Sequence, residues 1–323
     1  MRKDASGYFF HTFILFPFTL LVLYLIFYYL GIVRHLAVEV LVILLIVVYY
    51  AYVDIHLGIA ALVVTILWFM VRKQLCQVDY TISHLNAREV APSTPIPKII
   101  IQTGPSNDLQ KYKPFVDSIQ TMNPDYQYLF FNDEDIAEFL KKEYPEYWVT
   151  YQRLPILIQR IDFFRYIAVY HYGGIYMDMD MKMLKPFDNA FLNHQCVFPV
   201  DEYLKESSRR YPRYVPFCNN TCYFLLGQYA FASTPKHPFI KVLIDKIHHR
   251  LDRIVSDYQT LFPKGVRNKK GMNELFVYRT TGPDYVTHCF MDYYYKNQLY
   301  ILDNGLRQHL GNYAKHQYMG SWK

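Results

Sequence analysis

Two regimes of hydrophobic patterning divide the chain. From Tyr8 to Val33 the residues are apolar without periodicity, His11 being the one strongly polar position, and Arg2 and Lys3 precede the run. It is longer than the ~20 residues that carry a helix across a bilayer. It also exceeds the ~7–15 apolar residues of a cleaved signal peptide, so it reads as a retained anchor. After Arg34-His35 a second apolar stretch runs from Leu36 to Val71, too long for one straight helix in a hydrocarbon layer ~30 Å thick. Asp54, His56 and Gly58 sit in its middle. The pattern therefore predicts an all-α membrane block over residues 1–73 with three spans, about 8–33, 36–53 and 55–71. A reading in which part of the second stretch is an interfacial or packed helix stays open. Glu39 is costly in lipid, which places it at an interface or against another helix. Three spans with Arg2 and Lys3 in the cytosol put the rest of the chain in the lumen, while Arg72-Lys73 pull the other way, so the positive-inside signal is divided.

Beyond this block the pattern becomes that of a water-soluble α/β domain. Residues 74–95, with Ala91-Pro92-Ser93-Thr94-Pro95, read as a stem, and residues 96–323 are of a size for one domain. Lys98–Gln102 is a short continuous apolar run, a buried strand of the parallel kind. Tyr126–Phe131 reads as a second strand entered from Asn123-Pro124-Asp125. Asn132-Asp133-Glu134-Asp135 offers an N-cap for a helix running to about Lys142. From Leu154 to Tyr170 the apolar positions (Ile158, Ile161, Phe164, Ile167, Ala168) recur at helical spacing and stop at Gly173-Gly174. Ile175-Tyr176-Met177 is the next strand. Such alternation implies a mostly parallel, Rossmann-like sheet whose ligands sit at the carboxyl ends of its strands.

Composition narrows the class. With 52% hydrophobic residues and 19% charged, the chain is not disordered. Its 34 Lys and Arg against 28 Asp and Glu give a mild +6, without the basic stripe of a nucleic-acid surface. The cysteines Cys76, Cys196, Cys218, Cys222 and Cys289 show no CxxC or zinc spacing. Cys218 and Cys222 flank the sequon Asn219-Asn220-Thr221; a lumenal glycan with a local disulfide and a pair of free thiols both fit.

The chemistry concentrates in Gly173-Gly174-Ile175-Tyr176-Met177-Asp178-Met179-Asp180. Alternation along a strand puts Asp178 and Asp180 on one side and the methionines on the other. Paired carboxylates repel unless a cation lies between them, and they are hard ligands suited to Mg²⁺ or Mn²⁺ on a diphosphate. Two acids at a solvated strand end is the plainer alternative, since Asp-x-Asp triplets arise by chance. Upstream, Asp162 and Arg165 are spaced i, i+3 on one helical face. In isolation they would be a surface ion pair. Here the same helix leads into the glycines and Asp-x-Asp, so Arg165 is a candidate for phosphate oxygens and Asp162 for sugar hydroxyls.

The segment RIDFFRYIAVYHYGGIYMDMD (160–180) resembles the signature of family 32 glycosyltransferases, the DXD sugar-binding group that includes fungal α-1,6-mannosyltransferases and the mannosyltransferases of inositol phosphoceramide. Further likenesses follow in family order: IPKIIIQT, with Ile101 where the family usually has His; NPDYQYLFFNDEDI; STPKHPF (233–239); Thr281-Gly282-Pro283; and a closing H-x4-S-W at His316, Ser321 and Trp322. The resemblance implies a GT-A catalytic domain and a retaining, metal-dependent transfer of a sugar from a nucleotide-sugar donor to a glycan or glycolipid acceptor. It implies catalytic roles for Asp162, Arg165, Asp178 and Asp180, and Mn²⁺ (or Mg²⁺) on Asp178, Asp180 and His316. Gln102, Gly174, Tyr176, Thr281, Gly282, Ser321 and Trp322 would bind the donor. The expected setting is a Golgi or endoplasmic reticulum membrane with the catalytic domain in the lumen, membrane lipid alongside, and no nucleic acid. Mannose from GDP-mannose is the expected donor sugar; a UDP-hexose donor and a catalytically silent binder of glycans or lipids are the alternatives. A dehalogenase-type phosphatase would need Thr or Val where Lys182 stands, and GxGxxG, the P-loop and HExxH are all absent.

Overall fold

The computed structural model describes Asn86 and residues 94–105, 109–218, 224–263, 271–304 and 309–319. All of these fall within the second of two compact units, residues 78–323. The expected spans at 8–33, 36–53 and 55–71, the sequon with Cys222, and Ser321 and Trp322 lie outside the described residues. Among the described residues no helix is long and apolar enough to cross a membrane.

The strands of the main sheet are β1 (Ile99–Thr103), β2 (Gln127–Phe131), β3 (Gly174–Met177), β5 (Cys196–Tyr203), β6 (Phe224–Leu226), β7 (Ala230–Ser233) and β8 (Tyr300–Leu302). They are ordered β2-β1-β3-β7-β5-β6, with β8 also paired to β5. β1 runs parallel to β2 and β3, as the alternating pattern requires, and β5 parallel to β8. β7 runs antiparallel to β3 and β5, and β6 antiparallel to β5, so the sheet is mixed. Strands β4 (Met181–Met183) and β9 (Ala314–His316) form a separate antiparallel pair. Asn86, in the expected stem, exchanges two hydrogen bonds of 2.9 Å with the backbone of Ile301 in β8.

The helices are α1 (Leu109–Met122), α2 (Asp133–Glu143), α3 (Pro145–Arg153), α4 (Leu157–Tyr172), the short α5 (Asn189–Leu192), α6 (Pro238–His249), α7 (Leu251–Leu261), α8 (Met272–Thr280) and α9 (Pro283–Asp292). The α2 cap is as expected: the Asn132 side chain accepts from the backbone N–H groups of Glu134 and Asp135, and Asp135 accepts in return from Asn132 N–H. α1 and α3 went unread in the sequence. Pro114 and Pro145 break the apparent pattern there, although Pro145 at a helix start is well tolerated.

Period-two alternation splits the core between the two sheet faces. Ile101, Tyr176, Phe198 and Phe231 point into one cluster with Phe163, Phe164 and Ile167 of α4. Ile100, Ile175, Val197 and Ala232 point into the other with Ile119 of α1 and Met181 and Met183 of β4. α4 is buried along most of its length, because it is the helix pressed onto the sheet beneath further helices. Cys196, Cys218 and Cys289 are buried.

α4 stops at Gly173, whose φ of 67° is open to glycine but strained for other residues, and the chain turns directly into β3. Gly174 follows at φ 90°, and a Cβ there would lie 2.5 Å from the Ile99 carbonyl oxygen. Gly271 also has positive φ, at 83°, but a Cβ there would meet nothing within 4 Å. Gly271→Ala is therefore expected to cost only the left-handed backbone penalty, ~1–2 kcal/mol, and Gly174→Ala more than ~3 kcal/mol. Thermal unfolding midpoints of the full chain in detergent, compared for the two variants, check this; equal midpoints would refute the close approach at Gly174.

Candidate functional site

The carboxyl ends of β1 and β3 and the amino end of β7 lie together, because β7 returns antiparallel with Ala230 opposite Met177. Asp178 is the first residue past β3. Its N–H donates to the Tyr229 carbonyl at 2.7 Å, and its own carbonyl accepts from Met181 N–H at 3.1 Å. Asp178-Met179-Asp180 is therefore a tight turn rather than a strand. This corrects the expectation that strand alternation aligns the two carboxylates; the turn brings them together, while Met177 and Met181 enter the core.

His316 reaches the same place through the pairing of β4 with β9, which puts it opposite Met181. Its Nε2 lies 3.0 Å from Asp180 Oδ1. Asp180 Oδ2 accepts from Met319 N–H at 2.8 Å across 139 positions of sequence. Asp178, Asp180 and His316 each offer a ligand atom, all within 4.8 Å of one another. Burial raises the Asp180 carboxyl, but the hydrogen bond and nearby ring of His316 together with backbone donors such as Met319 N–H hold it below the usual carboxylate range.

Behind this cluster lies a buried charge network. Asp162 is fully buried, accepting from Thr281 Oγ1 at 2.7 Å and from Gln228 Nε2 at 3.0 Å. Arg165 reaches Asp162 at 3.1 Å and Asp178 at 3.3 Å, and donates to the Gln228 carbonyl at 3.0 Å. Its guanidinium lies 4.6 Å from the Tyr176 ring centroid. Burial works against the charge of Arg165, but Asp178, Tyr176 and Asp162 override it and push the guanidinium further towards its charged form. Burial raises the carboxyls of Asp162 and Asp178 above their ordinary values against the pull of Arg165. Two carboxylates thus share one guanidinium, and the charge of Asp180 acts on Asp178 as well, leaving an excess of acidic groups.

The expected site residues separate into three groups. Asp178, Asp180 and His316 converge. Asp162, Arg165, Tyr176, Thr281 and Gln102 stand behind them as supports. Tyr176 OH donates to Asp178 at 2.9 Å, and Gln102 Nε2 donates to the carbonyls of Met177 and Asp178 at 3.3 and 3.1 Å. Asp162 has both oxygens engaged inside the protein rather than turned outward to a ligand. Gly174 and Gly282 do not join them: Gly174 lies at the opposite end of β3 from Asp178, and Gly282 packs the α8–α9 turn, where a Cβ would lie 2.9 Å from Tyr278 Cα.

Gln228, Tyr229 and His309 went unread. Gln228 ties Asp162 to Arg165 from the β6–β7 connection. Tyr229 stacks on His316 with ring centroids 4.9 Å apart and donates to the His309 carbonyl at 2.7 Å. Burial lowers the His309 imidazole to about 4. None of these sits in a motif; the neighbourhood of β3 in the folded sheet is what marks them.

Residues 110–198 match the family described as "Glycosyltransferase sugar-binding region containing DXD motif". That segment holds Asp162, Arg165, Asp178 and Asp180, so the match supports the resemblance read from the sequence. The chain is similar to inositol phosphoceramide mannosyltransferase 1 of Schizosaccharomyces pombe, at 27% identity over 202 residues, covering 61% of this chain and 52% of that protein. It is 30% identical over 162 residues to the mannosyl phosphorylinositol ceramide synthase SUR1 of Saccharomyces cerevisiae, covering 49% of this chain and 37% of that one. The chain therefore spans about half or less of the length of these curated relatives. The solved PaToxG glycosyltransferase overlays 68% of this chain and 76% of its own at 18% identity, with a TM-score of 0.41, a likeness that carries no argument about this protein.

Removing the shared guanidinium would strand two carboxylates. Arg165→Met is expected to lower stability by ~3–5 kcal/mol. Thr281→Val, which removes one donor to a buried carboxylate, should cost ~1–3 kcal/mol. Thr281→Ser, which keeps the hydroxyl, should cost less than Thr281→Val. Denaturant midpoints of the full-length variants check the order; an Arg165→Met protein as stable as wild type would show that the pair is not a structural tie.

Proposed function

We propose that this chain is a membrane-held, retaining glycosyltransferase of the GT-A kind. It would move mannose from GDP-mannose to a hydroxyl of a glycan or glycolipid, with a divalent cation bound at Asp178, Asp180 and His316. The observation that carries the reading is the convergence of these three side chains at the carboxyl end of β3, directly over Arg165. The donor set fits the cation: two hard carboxylate oxygens and one imidazole suit Mn²⁺ better than Mg²⁺, which prefers oxygen alone. The unbalanced negative charge of the cluster supports the same conclusion, since carboxylates this close are stable only with a compensating cation.

Bound there, such a cation supplies charge neutralisation to the diphosphate as it departs. Arg165 holds Asp178 in position from beneath and offsets the repulsion between carboxylates. Asp162 anchors Arg165 and, through Gln228, the β6–β7 connection. Tyr176 and Gln102 fix the side chain and the backbone of Asp178, so the ligand turn is preorganised rather than assembled on binding. His316 and Met319 hold the chain after β9 against Asp180. In the transfer, the bond from the anomeric carbon to the diphosphate oxygen breaks, the acceptor oxygen bonds to that carbon from the same face, and the hydroxyl proton passes to the departing diphosphate. Mannose is favoured by the named activities of both curated relatives. A lipid-borne acceptor is favoured by the expected membrane block, which would hold the site near a bilayer of the secretory pathway.

The test is a donor screen on purified full-length protein with Mn²⁺, following release of GDP or UDP from GDP-mannose, UDP-glucose, UDP-galactose and UDP-GlcNAc. GDP-mannose alone is expected to be consumed, with activity lost on chelation and reduced at least ~100-fold in Asp180→Asn. Full activity in Asp180→Asn with ordinary metal dependence would overturn the metal assignment. Consumption of a UDP-sugar instead would overturn the choice of donor, and no turnover by folded protein would point to a silent binder.

A further inference from the structure

β5 carries a bulge near its carboxyl end. Val200 pairs with Leu226 and Glu202 with the adjacent Leu225, so Asp201 is an extra residue without a partner in the ladder. Bulges re-aim side chains, and they recur beside active sites. Val200 is fully buried, whereas Asp201 is partly accessible. The ionisable groups facing Asp201 are Glu202 on its own strand, Arg213 from the β5–β6 connection, His316 of β9 and Asp284 of α9. Its charge is also felt by Tyr229 and Tyr318. Val197 pairs with Ala232, so β5 runs on past the amino end of β7 and carries Asp201 to the same end of the sheet as Asp178.

None of the neighbouring donors is committed to it. Arg213 forks onto Asp284 instead, at 2.7–3.2 Å, and packs over the Tyr278 ring at 4.6 Å. Glu202 accepts from Tyr214 OH at 3.0 Å. No hydrogen bond from a described residue reaches the Asp201 carboxylate. Burial and the nearby Glu202 raise its carboxyl to about 6, the mark of a carboxylate held where it is poorly solvated. A group in that state costs the fold stability, and in a cleft it is a candidate for ligand contact.

Two ligand chemistries meet this part of the cleft differently. A nucleoside diphosphate is anionic and is repelled by Asp201 and Glu202 together. A neutral polyhydroxylated ring offers O–H donors to a carboxylate and a C–H face to an aromatic ring. Tyr318 supplies that ring: it is 59% exposed and lies tilted against His316 with centroids 4.3 Å apart.

We propose that Asp201 is the acceptor contact of the site: its carboxylate accepts the hydrogen bond of a ring hydroxyl on a sugar or cyclitol acceptor, and the ring lies against Tyr318. This rests on the transferase reading above and adds to it the residue that selects the acceptor. Asp201 defines the acceptor side as Asp178 and Asp180 define the donor side.

The decisive variant is Asp201→Asn, nearly isosteric and expected to melt at or above the wild-type temperature because it removes a poorly solvated charge. Titration of the full chain with methyl α-mannoside and with myo-inositol, without donor, should show one of the two rings binding. Asp201→Asn should weaken that binding at least ~10-fold. Which ring binds separates a glycan acceptor from a cyclitol headgroup. In the transfer assay the acceptor KM should rise by a similar factor, with a much smaller change in donor KM. Equal ring binding by wild type and variant, no binding of either ring, or a parallel rise in both KM values would overturn the proposal. If wild type turns over no donor, the transferase reading fails on its own, and the ring titration still decides the role of Asp201.

Discussion

One buried guanidinium organises this site. Arg165 sits between Asp162 on its own helix and Asp178 at the end of β3, with Tyr176 beneath it and the Gln228 carbonyl beside it. Taking these ions out of water costs several kcal/mol each, and the arrangement is stable only because the lone pairs of Asp162 are also filled by Thr281 and Gln228. The result joins α4, the end of β3, the β6–β7 connection and the α8–α9 turn at one point. Asp178 is held by groups that stay out of solvent, and only its outer side faces the cleft.

The ligand cluster depends on a second and weaker constraint. β4 and β9 are three residues each, and a two-stranded pair of that length is marginal by itself. Its stability comes from what it touches: Met181, Met183 and Ala314 are buried in the core cluster on that face of the sheet. Asp180 adds contacts to His316, Gln317 and Met319. The carboxylate proposed to take the cation is thus also the tether of the residues after β9, so cation binding and the position of that segment are coupled through one side chain.

Charge is distributed unevenly around the cleft. At the end of β3, Asp162 and Asp178 share Arg165, and Asp180 lies against His316. On the side of β5, Arg213 is spent on Asp284, and the bulge leaves Asp201 uncompensated. A site with that asymmetry favours a cation-bound anion at one end and a neutral hydrogen-bond donor at the other, which is the division of labour that sugar transfer requires.

The elements nearest the motif were legible in the chain itself. The apolar run of β1, the capping box of α2, the helical spacing of α4 and its glycine stop are local effects, set by side-chain periodicity and by backbone preferences over a few residues. Asp162, Arg165, Asp178 and Asp180 were legible for the same reason, lying within 160–180. The helices α1 and α3 were not, because proline obscures a pattern that tertiary burial sustains. Nor were Gln228, Tyr229, His309 and Asp201, which belong to no motif and are brought to this end of the sheet by the antiparallel return of β7, the β4–β9 pairing and the course of β5. Alternation along a strand also misled on how Asp178 and Asp180 converge, since it takes the strand to continue where hydrogen bonds turn the chain. Sequence determined which groups could carry the chemistry. Tertiary structure decided which of them are buried supports and which face the cleft, because burial and charge pairing depend on segments more than a hundred residues apart.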